Sequence, residues 1–382
     1  MIKPHGGYLI DRTVDRGQYS DWIQREAEDV ASIHLNEEQF QDALNIANGR
    51  YSPLEGFMNR DDFVKVIEDM TLEDGTVWPV PVLLDVDAET VADVHPGERV
   101  GLRNPDGELF GVLNVDEVYK YNGRYAATKL FGTADENHPG VASFHDMDDY
   151  LVGGDVSVFD DCHYNENDLL PAESRVLFRH YGWETVVGFQ TRNVPHRGHE
   201  YIQKTALEQV DGLLVQPKIG EKKSGDYDDE AIINSYRRLI DCYYPDNSVV
   251  LSVFPSRMRY AGPREAVFDA LVRKNQGCTH FIIGRDHAGV GDFYPKRASH
   301  EIFDTVGDIG IEPMRFLYAF YCHECDGMAS RKICPHDDES RVYPSGTEIR
   351  RKIRQAKRPS EKMMRPEIAS FIIDAEEKFV EQ

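Results

Sequence analysis

The sequence lacks the features of a membrane protein or a secreted protein. It has no run of about 18 apolar residues, so no transmembrane helix is expected. Its first residues, MIKPHGGYLIDR, contain no apolar signal core. Its six cysteines are scattered over 382 residues, which is not the pattern of a disulfide framework. We therefore expect a cytoplasmic protein of two or three domains, with no membrane partner.

Positive charge is also scarce. The chain has 43 Lys and Arg residues against 67 Asp and Glu residues, for a net charge of −24. A protein that binds nucleic acid needs a basic face to neutralise phosphates, so no nucleic-acid partner is expected. Solubility accounts for the acidic excess, and whether it also reflects adaptation to salt does not follow from the sequence. Any site for an anionic ligand must then gather its own positive groups locally.

Two common nucleotide-binding sequences, the P-loop GxxxxGK[ST] and the Rossmann GxGxxG, are absent. A different strand–turn–helix pattern is present instead. Residues 186–189 are apolar and predict a buried strand, and apolar residues recur at helical spacing after Pro195. Asn193 is a plausible helix start, with Pro195 in the first turn. The polar residues between the two elements therefore lie where open α/β sheets bind ligands and where helix termini attract phosphate.

His196, Gly198 and His199 form the pattern HxGH at the start of this predicted helix. Histidines three residues apart on a helix face the same way, and glycine allows a ligand to approach the backbone closely. Taken alone, the pattern also fits a solvated helix start or a histidine pair that binds a metal. The tetrapeptide QTRN directly before it, at residues 190–193, makes an incidental occurrence the weaker explanation.

The segment QTRNVPHRGH, residues 190–199, resembles the nucleotide- and sulfate-binding segment of sulfate adenylyltransferases (ATP sulfurylases). Four more segments resemble that family in family order: SPLEGFM (52–58), GTADENHPGV (132–141), MRYAGPREA (258–266) and GRDHAGVGDFY (284–294). Many family members place the proline directly after the asparagine, whereas Val194 intervenes here. The resemblance is to the short form, without an appended kinase-like domain.

The resemblance implies roles for the matching residues. The catalytic residues would be Thr191, Arg192, Asn193, His196 and His199. Sulfate would be bound by Gln190, Arg192 and the backbone N–H of Ala288. The nucleotide would contact Gln190, Asn193, His196, His199, Gly284, Arg285, Asp286, His287 and, at the adenine, Leu317. Met258 and Arg259 are expected near the nucleotide, and Mg²⁺ is expected to arrive with ATP.

The chemistry of these residues agrees with the implied roles. The planar guanidinium of Arg192 suits a tetrahedral oxyanion, and Gln190 can donate a neutral hydrogen bond beside it. His196 and His199 can stabilise charge that develops on a pyrophosphate leaving group. The hexapeptide SGTEIR (345–350) is interpreted only as a capped helix start.

We predict an α/β protein with three domains. Residues 1–165 are β-rich, with strands predicted at 80–86, 99–103, 109–113 and 125–131, and the resemblance implies a PUA-like fold. Residues 166–320 alternate strands at 185–189, 212–216, 248–254 and 279–283 with helices at 196–210, 228–243, 263–275 and 297–307, which predicts a Rossmann-like nucleotidyltransferase domain with a parallel sheet. Residues 321–382 form a small domain with helices predicted at 346–356 and 365–378.

Cys322, Cys325, Cys334 and His336 supply four ligands of the type that zinc prefers within one short stretch. The alternative is three free thiols. His323 and Asp338 compete with His336 as the fourth ligand. We predict one structural Zn²⁺ per chain, and short members of the family carry zinc at such a cluster.

The activity that the resemblance implies is conversion of ATP and sulfate to adenosine 5′-phosphosulfate and diphosphate, by a reversible in-line displacement at the α-phosphorus. The physiological direction does not follow from the sequence. An adenylyltransferase that uses an organic phosphate is the nearest alternative, and a PUA- and zinc-containing RNA-binding protein is another. The resemblance also implies a homodimer.

Overall fold

The computed structural model describes residues 2–20, 22, 31–162, 165–220, 222 and 224–380. Its strands are β1 (Thr13–Val14), β2 (Ser32–His34), β3 (Gly56–Phe57), β4 (Asp85–Val86), β5 (Arg99–Arg103), β6 (Leu109–Lys120), β7 (Tyr150–Phe159), β8 (Val186–Thr191), β9 (Gly212–Ile219), β10 (Val249–Leu251), β11 (Phe254–Pro255), β12 (His280–Ile283), β13 (Glu312–Arg315), β14 (Ala319–Cys322), β15 (Gly327–Ser330) and β16 (Arg341–Val342).

The α-helices are α1 (Glu37–Ala47), α2 (Arg60–Asp69), α3 (Ala88–Val91), α4 (Gly123–Phe131), α5 (Pro139–His145), α6 (Pro171–His180), α7 (Arg197–Leu207), α8 (Asp229–Tyr243), α9 (Pro263–Gln276), α10 (Ala298–Glu301), α11 (Gly346–Arg354) and α12 (Pro366–Asp374). Short 3₁₀ turns occur at Arg16–Tyr19, Ile302–Asp304 and Asp338–Ser340. Among the described residues, no helix combines the length and the apolar character needed to cross a bilayer.

The amino-terminal part is built on a mixed sheet with the order β1-β7-β6-β5-β2, in which β3 and β4 also pair with β7. Strand β6 runs antiparallel to both β5 and β7, whereas β1 pairs with β7 and β2 pairs with β5 in parallel. Apolar side chains of this sheet belong to the same hydrophobic core as residues of α9 and β12, including Phe268 and Phe281. The amino-terminal part is therefore packed firmly against the domain that follows it.

The central sheet is entirely parallel, with the order β10-β9-β8-β12-β13. If these five strands are numbered in chain order, their spatial order across the sheet is 3-2-1-4-5. The direction in which strands are added to the sheet therefore reverses between β8 and β12. Val186 and Val187 of β8 are buried, as expected for a strand covered on both faces. The carboxyl ends of β8 and β12 therefore meet at a topological switch point, where such sheets bind ligands.

The carboxyl-terminal part contributes to a second hydrophobic core, which also contains residues of the parallel sheet. Ile349 and Ile353 of α11 and Ile368 and Ile372 of α12 are buried against residues of the parallel sheet, including Val187. In the sequence, strands β14, β15 and β16 come after the parallel sheet and before these two helices, and they form a small antiparallel sheet of their own.

Several predicted elements are wrong in detail. Residues 125–131 are helix α4 rather than a strand, because the Asn122 side chain accepts a hydrogen bond from Tyr125 N and caps a helix there. In residues 80–86 only β4 joins a ladder, since Pro79 and Pro81 have no N–H to donate. The helix predicted at 297–307 is reduced to α10 and a 3₁₀ turn.

The central helix begins later than predicted. Asn193 is not its cap: His196 is, and its side chain accepts a hydrogen bond from His199 N. Val194 precedes Pro195, and a residue before proline is disfavoured in the helical conformation, which keeps the chain extended up to the cap.

Candidate active site

The motif segments converge at the switch point of the parallel sheet. Gln190 and Thr191 end β8, and Gly284 directly follows β12, whose His280 and Phe281 pair with β8. Leu317 lies just beyond β13, the next strand. Because parallel strands present their carboxyl ends at one edge, three sequence-predicted segments lie side by side.

Arg192 lies on the open side of this edge. Its Nη1 donates a hydrogen bond to the Tyr260 hydroxyl at 3.2 Å, and its guanidinium carbon lies 5.5 Å from the centre of the Tyr260 ring. The residue is exposed and lines a cavity of about 350 Å³ between the amino-terminal part and the parallel sheet. Lys218 and Met258 line the same cavity. A positive group therefore faces a space large enough for a small anion.

Gln190, predicted to bind sulfate beside Arg192, has its side-chain amide fixed by a hydrogen bond to a buried carboxylate. Its Nε2 donates to Asp269 Oδ2 at 2.6 Å. Thr191 is buried, and its hydroxyl accepts from Asn193 N at 3.1 Å. Asn193 Oδ1 in turn accepts from Arg350 Nη2 at 3.1 Å. The segment is thus fixed by side chains that are far away in the sequence.

The two histidines of HxGH are stacked, with ring centres 3.7 Å apart and planes 19° apart. Burial lowers the pKa of His196 to about 4 and lowers that of His199 well below its ordinary value. Both rings are therefore neutral near pH 7. His196 Nδ1 accepts from a backbone N–H, so its proton lies on Nε2. A neutral imidazole of this kind can donate a hydrogen bond to a phosphate oxygen.

The loop after β12 is held at two points. His287 Nε2 lies 2.9 Å from Asp269 Oδ2, and the Ala288 carbonyl accepts from Gly262 N at 3.2 Å. Ala288 has a positive φ of 53°, an unfavourable conformation for alanine, so the loop has a defined shape. The contact of the Ala288 N–H with sulfate stays a prediction.

Arg285 and Asp286 form an ion pair of 2.5 Å, and the Arg285 guanidinium stacks on the Tyr318 ring at 3.8 Å. Arg285 and Leu317 line one cleft of about 590 Å³. Its other lining residues are mostly basic or aromatic: Lys296, Arg297, Tyr318, Arg331 and Tyr343. The cleft therefore combines stacking surfaces with positive charge, which suits a nucleotide.

Arg259 has a partner that sequence reasoning missed. Its Nη2 lies 2.8 Å from both carboxylate oxygens of Asp42, on helix α1 of the amino-terminal part. Its side chain is only 9% exposed, and the adjacent Asp42 charge raises its pKa against the effect of burial. Arg259 thus joins the two parts of the molecule, and its expected position near the nucleotide stays a prediction.

Four residues that support the site were not predicted as site residues. Asp269 contacts Gln190 and His287, Tyr260 contacts Arg192, and Lys218 forms ion pairs with Glu265 and Asp269 while it lines the cavity. The fourth is Arg350, in the hexapeptide interpreted as a capped helix start. Ser345 does cap α11, since its side chain accepts from Glu348 N, but Arg350 reaches Asn193 as well.

The cysteine cluster forms a second site. The ligand atoms of Cys322, Cys325, Cys334 and His336 all lie within 4.8 Å of one another. His336 Nδ1 is 3.3 Å from two of the sulfurs and 3.8 Å from the third, and Cys325 Sγ is 3.8 Å from Cys334 Sγ. A tetrahedral zinc site has S···S edges of about 3.8 Å and S···N edges of about 3.6 Å. The four residues fit a metal ion of this kind.

The fourth residue of the cluster is His336, and not His323 or Asp338. His323 Nδ1 faces Lys362 Nζ at 2.9 Å, and Asp338 binds Arg331 and Arg341. The second ring nitrogen of His336 lies 3.4 Å from Glu324 Oε2. A carboxylate in that position orients a histidine ligand.

A parallel sheet with polar loops at its switch point is the arrangement found in α/β nucleotide-binding enzymes. Residues 165–375 match the model of the ATP-sulfurylase family, and residues 2–161 match that of a PUA-like domain. The chain belongs to the ATP-sulfurylase family. It is 47% identical to a sulfate adenylyltransferase of Staphylothermus marinus, with 99% of each chain covered. It is 46% identical to that of Ignicoccus hospitalis, with 100% of each covered.

A solved structure described as a hexameric APS kinase from Thiobacillus denitrificans resembles the chain with a TM-score of 0.75. The two sequences are 24% identical, and the matched region covers 97% of this chain and 68% of the chain in the solved structure. Likeness at this identity supports the fold alone. The α/β architecture and the family that the sequence predicts are thus confirmed.

Proposed function

We propose that this chain is a sulfate adenylyltransferase, which converts ATP and sulfate to adenosine 5′-phosphosulfate and diphosphate and also catalyses the reverse reaction. The observation that carries the proposal is the meeting of residues 190–199 and 284–288 at one switch point. One segment supplies a free guanidinium face and two neutral histidines, and the other supplies a shaped loop beside a basic and aromatic cleft.

Sulfate binds on the cavity side. Arg192 neutralises it, because among the described residues its guanidinium donates to an aromatic hydroxyl and has further donors to spare. Gln190 Nε2 donates one hydrogen to Asp269 and keeps a second for the oxyanion. The Ala288 N–H completes the sulfate site. These contacts hold a weak nucleophile in place without protonating it.

The triphosphate lies over the start of α7, with Thr191, Asn193, His196 and His199 as the residues nearest the reacting groups. The helix terminus and the two imidazole N–H groups favour negative charge there. Their contribution grows as charge moves onto the diphosphate leaving group. The donors are already in place before the reaction, so little reorganisation is needed.

The adenosine portion of ATP lies against Gly284, Arg285, Asp286 and His287, with the adenine near Leu317. The cleft that Arg285 and Leu317 line supports this placement. ATP is taken as the substrate in its Mg²⁺ complex, in which the ion would offset part of the negative charge of the phosphates. A nucleotide held here has its phosphates directed along the edge of the sheet toward α7.

The reaction is a direct in-line displacement: a sulfate oxygen forms a bond to the α-phosphorus while the bond to the diphosphate breaks. Positioning and charge neutralisation supply the catalysis. No cysteine, serine or lysine stands in residues 190–199, which agrees with a reaction without a covalent enzyme intermediate.

The three parts of the chain divide the work. Residues 1–165 close one side of the cavity, residues 166–320 carry the reacting groups, and residues 321–382 add the metal cluster and the two helices on the sheet. We assign Zn²⁺ to Cys322, Cys325, Cys334 and His336, where all four positions are protein ligands and the metal is structural.

The enzyme is proposed to work in the cytoplasm as a homodimer. The described cysteines are all unpaired, which fits a reducing compartment. Sedimentation at several concentrations would measure the oligomeric state. A monomer across the whole range would reject the dimer and leave the chemistry untouched.

ATP–pyrophosphate exchange with and without sulfate tests the proposal. Exchange of labelled pyrophosphate into ATP that depends on sulfate is the expected result. Exchange that requires an organic phosphate instead would identify an adenylyltransferase of another substrate class. A protein without either exchange, but with salt-sensitive binding of RNA, would reject the enzyme altogether.

A further inference from the structure

A buried carboxylate lies between the two segments that make up the site. Asp269 is on α9, fully enclosed, and its Oδ2 accepts from Gln190 Nε2 at 2.6 Å. The same oxygen lies 2.9 Å from His287 Nε2. Gln190 ends β8 and His287 belongs to the loop after β12, so a single side chain joins both segments.

The charge of Asp269 is compensated locally. Lys218 Nζ lies 3.3 Å from Oδ1 and Arg273 Nη1 lies 3.6 Å from it, while Glu265 pairs with Lys218 at 2.8 Å. Burial alone would raise the pKa of the Asp269 carboxyl, but Lys218, His287 and Arg273 together lower it below its ordinary value. Asp269 is therefore ionised at neutral pH, and it can only accept hydrogen bonds.

An acceptor-only group determines how its partners are oriented. Because Asp269 cannot donate, Gln190 must turn Nε2 toward it and Oε1 away, and Oε1 has no hydrogen-bond partner among the residues that the structure describes. For the same reason, His287 carries a proton on Nε2. The second Nε2 hydrogen of Gln190 is then available on the side of the anion.

We propose that Asp269 is a positioning residue of the sulfate site, which orients the Gln190 amide as a donor to sulfate and fixes the nucleotide loop beside it through His287. The inference rests on the proposed roles of Gln190 and His287. Asp269 itself does not touch the substrates.

The test compares Asp269→Asn with Asp168→Asn. Asp168 is a buried carboxylate paired with Arg50 at 2.6 Å, so the same change is made at a site that contacts neither Gln190 nor His287. For Asp269→Asn we expect KM for sulfate to rise about tenfold or more, since a hydrogen bond to a charged group is lost. Asp168→Asn should reduce thermal stability and leave KM for sulfate within about twofold.

A double-substitution cycle with Gln190→Ala separates positioning from general destabilisation. If Asp269 acts through Gln190, the double variant should have nearly the same KM for sulfate as Gln190→Ala alone. Independent, multiplicative increases would overturn the inference, as would an Asp269→Asn enzyme that loses stability like Asp168→Asn and binds sulfate normally. Asp269→Ser serves the same comparison if the amide variant does not fold.

A separate result would show that the proposed role of Gln190 in sulfate binding is wrong. If Gln190→Ala leaves KM for sulfate unchanged, Gln190 does not bind sulfate, and the role of Asp269 is rejected with it. If the unaltered protein shows no sulfate-dependent exchange, the proposed function fails before any variant is considered.

Discussion

Residues 190–199 and residues 322–336 are both short and rich in functional side chains, but they are built differently. The cysteine–histidine cluster is local, because β14, β15 and the turn after them bring all four ligand atoms together. Residues 190–199 depend on distant partners: Asp269, Tyr260 and Arg350 each hold one of their side chains. A local site can be read from spacing, whereas a site of the second kind needs the whole fold.

The two regions should also differ in what their substitutions affect, which is turnover in one case and folding stability in the other. We expect changes in residues 190–199 to abolish turnover and leave the fold intact. Changes in the cluster should lower stability and affect turnover only through unfolding.

The largest effect is expected for Arg192→Ala. Loss of the charged donor from the sulfate site should lower kcat/KM for sulfate by about 10²–10³, which is about 2.7–4 kcal/mol, with nucleotide binding retained. Steady-state kinetics and calorimetry with nucleotide measure the two quantities. Arg238→Ala, an exposed arginine on α8, is the control. An Arg192→Ala enzyme that loses nucleotide as severely as sulfate would contradict the division of roles.

His199→Ala should reduce turnover by a similar factor of about 10²–10³, but in both reaction directions, because one transition state serves both. Sulfate occupancy should persist, since the imidazole acts on the phosphate side. Forward and reverse rates of the same preparation give the comparison. Normal turnover in either direction would remove His199 from the mechanism.

A smaller effect is expected when the local site is broken. Cys325→Ser should leave the cluster with three ligands, reduce the zinc content below one per chain, and lower stability by about 2 kcal/mol or more. Elemental analysis and thermal unfolding measure these changes. Cys242→Ser alters an exposed cysteine outside the cluster and is the matched control. Unchanged stability in a metal-free Cys325→Ser protein would show that the cluster has no structural role.

Much of the fold could be predicted because it is encoded over short distances. The apolar run of β8, the helical spacing of α7 and the cysteine spacing each define a local element. The strand predicted at 125–131 was wrong because Asn122-Gly123 fits both a hairpin turn and a helix start, and here Asn122 caps α4. Asp269, Lys218 and Arg350 could not be predicted, since they meet the site only through tertiary packing.

The smallest effect concerns pH and tests whether residues 190–199 also affect stability. The pKa of His196 is lowered to about 4 because burial disfavours the imidazolium. Between pH 4 and its unfolded value of about 6.5, the unfolded chain therefore binds more protons at this position than the folded chain does. The contribution of His196 is fully present above about pH 6.5 and is lost as the pH falls toward 4.

His196→Asn should flatten this acid dependence while keeping the helix cap, because asparagine is a good capping residue. We expect the loss of unfolding free energy between pH 7 and pH 5 to be smaller in the variant by about 1–2 kcal/mol. Denaturant unfolding of both proteins across that range makes the measurement, and the difference between the two curves removes the contribution of other buried groups such as His5, whose pKa burial also lowers to about 4. Two parallel curves would mean that the imidazole of His196 becomes protonated as readily in the folded chain as in the unfolded one. A neutral donor at the start of α7 would then not exist below pH 6, and turnover should fall together with protonation rather than persist toward pH 5.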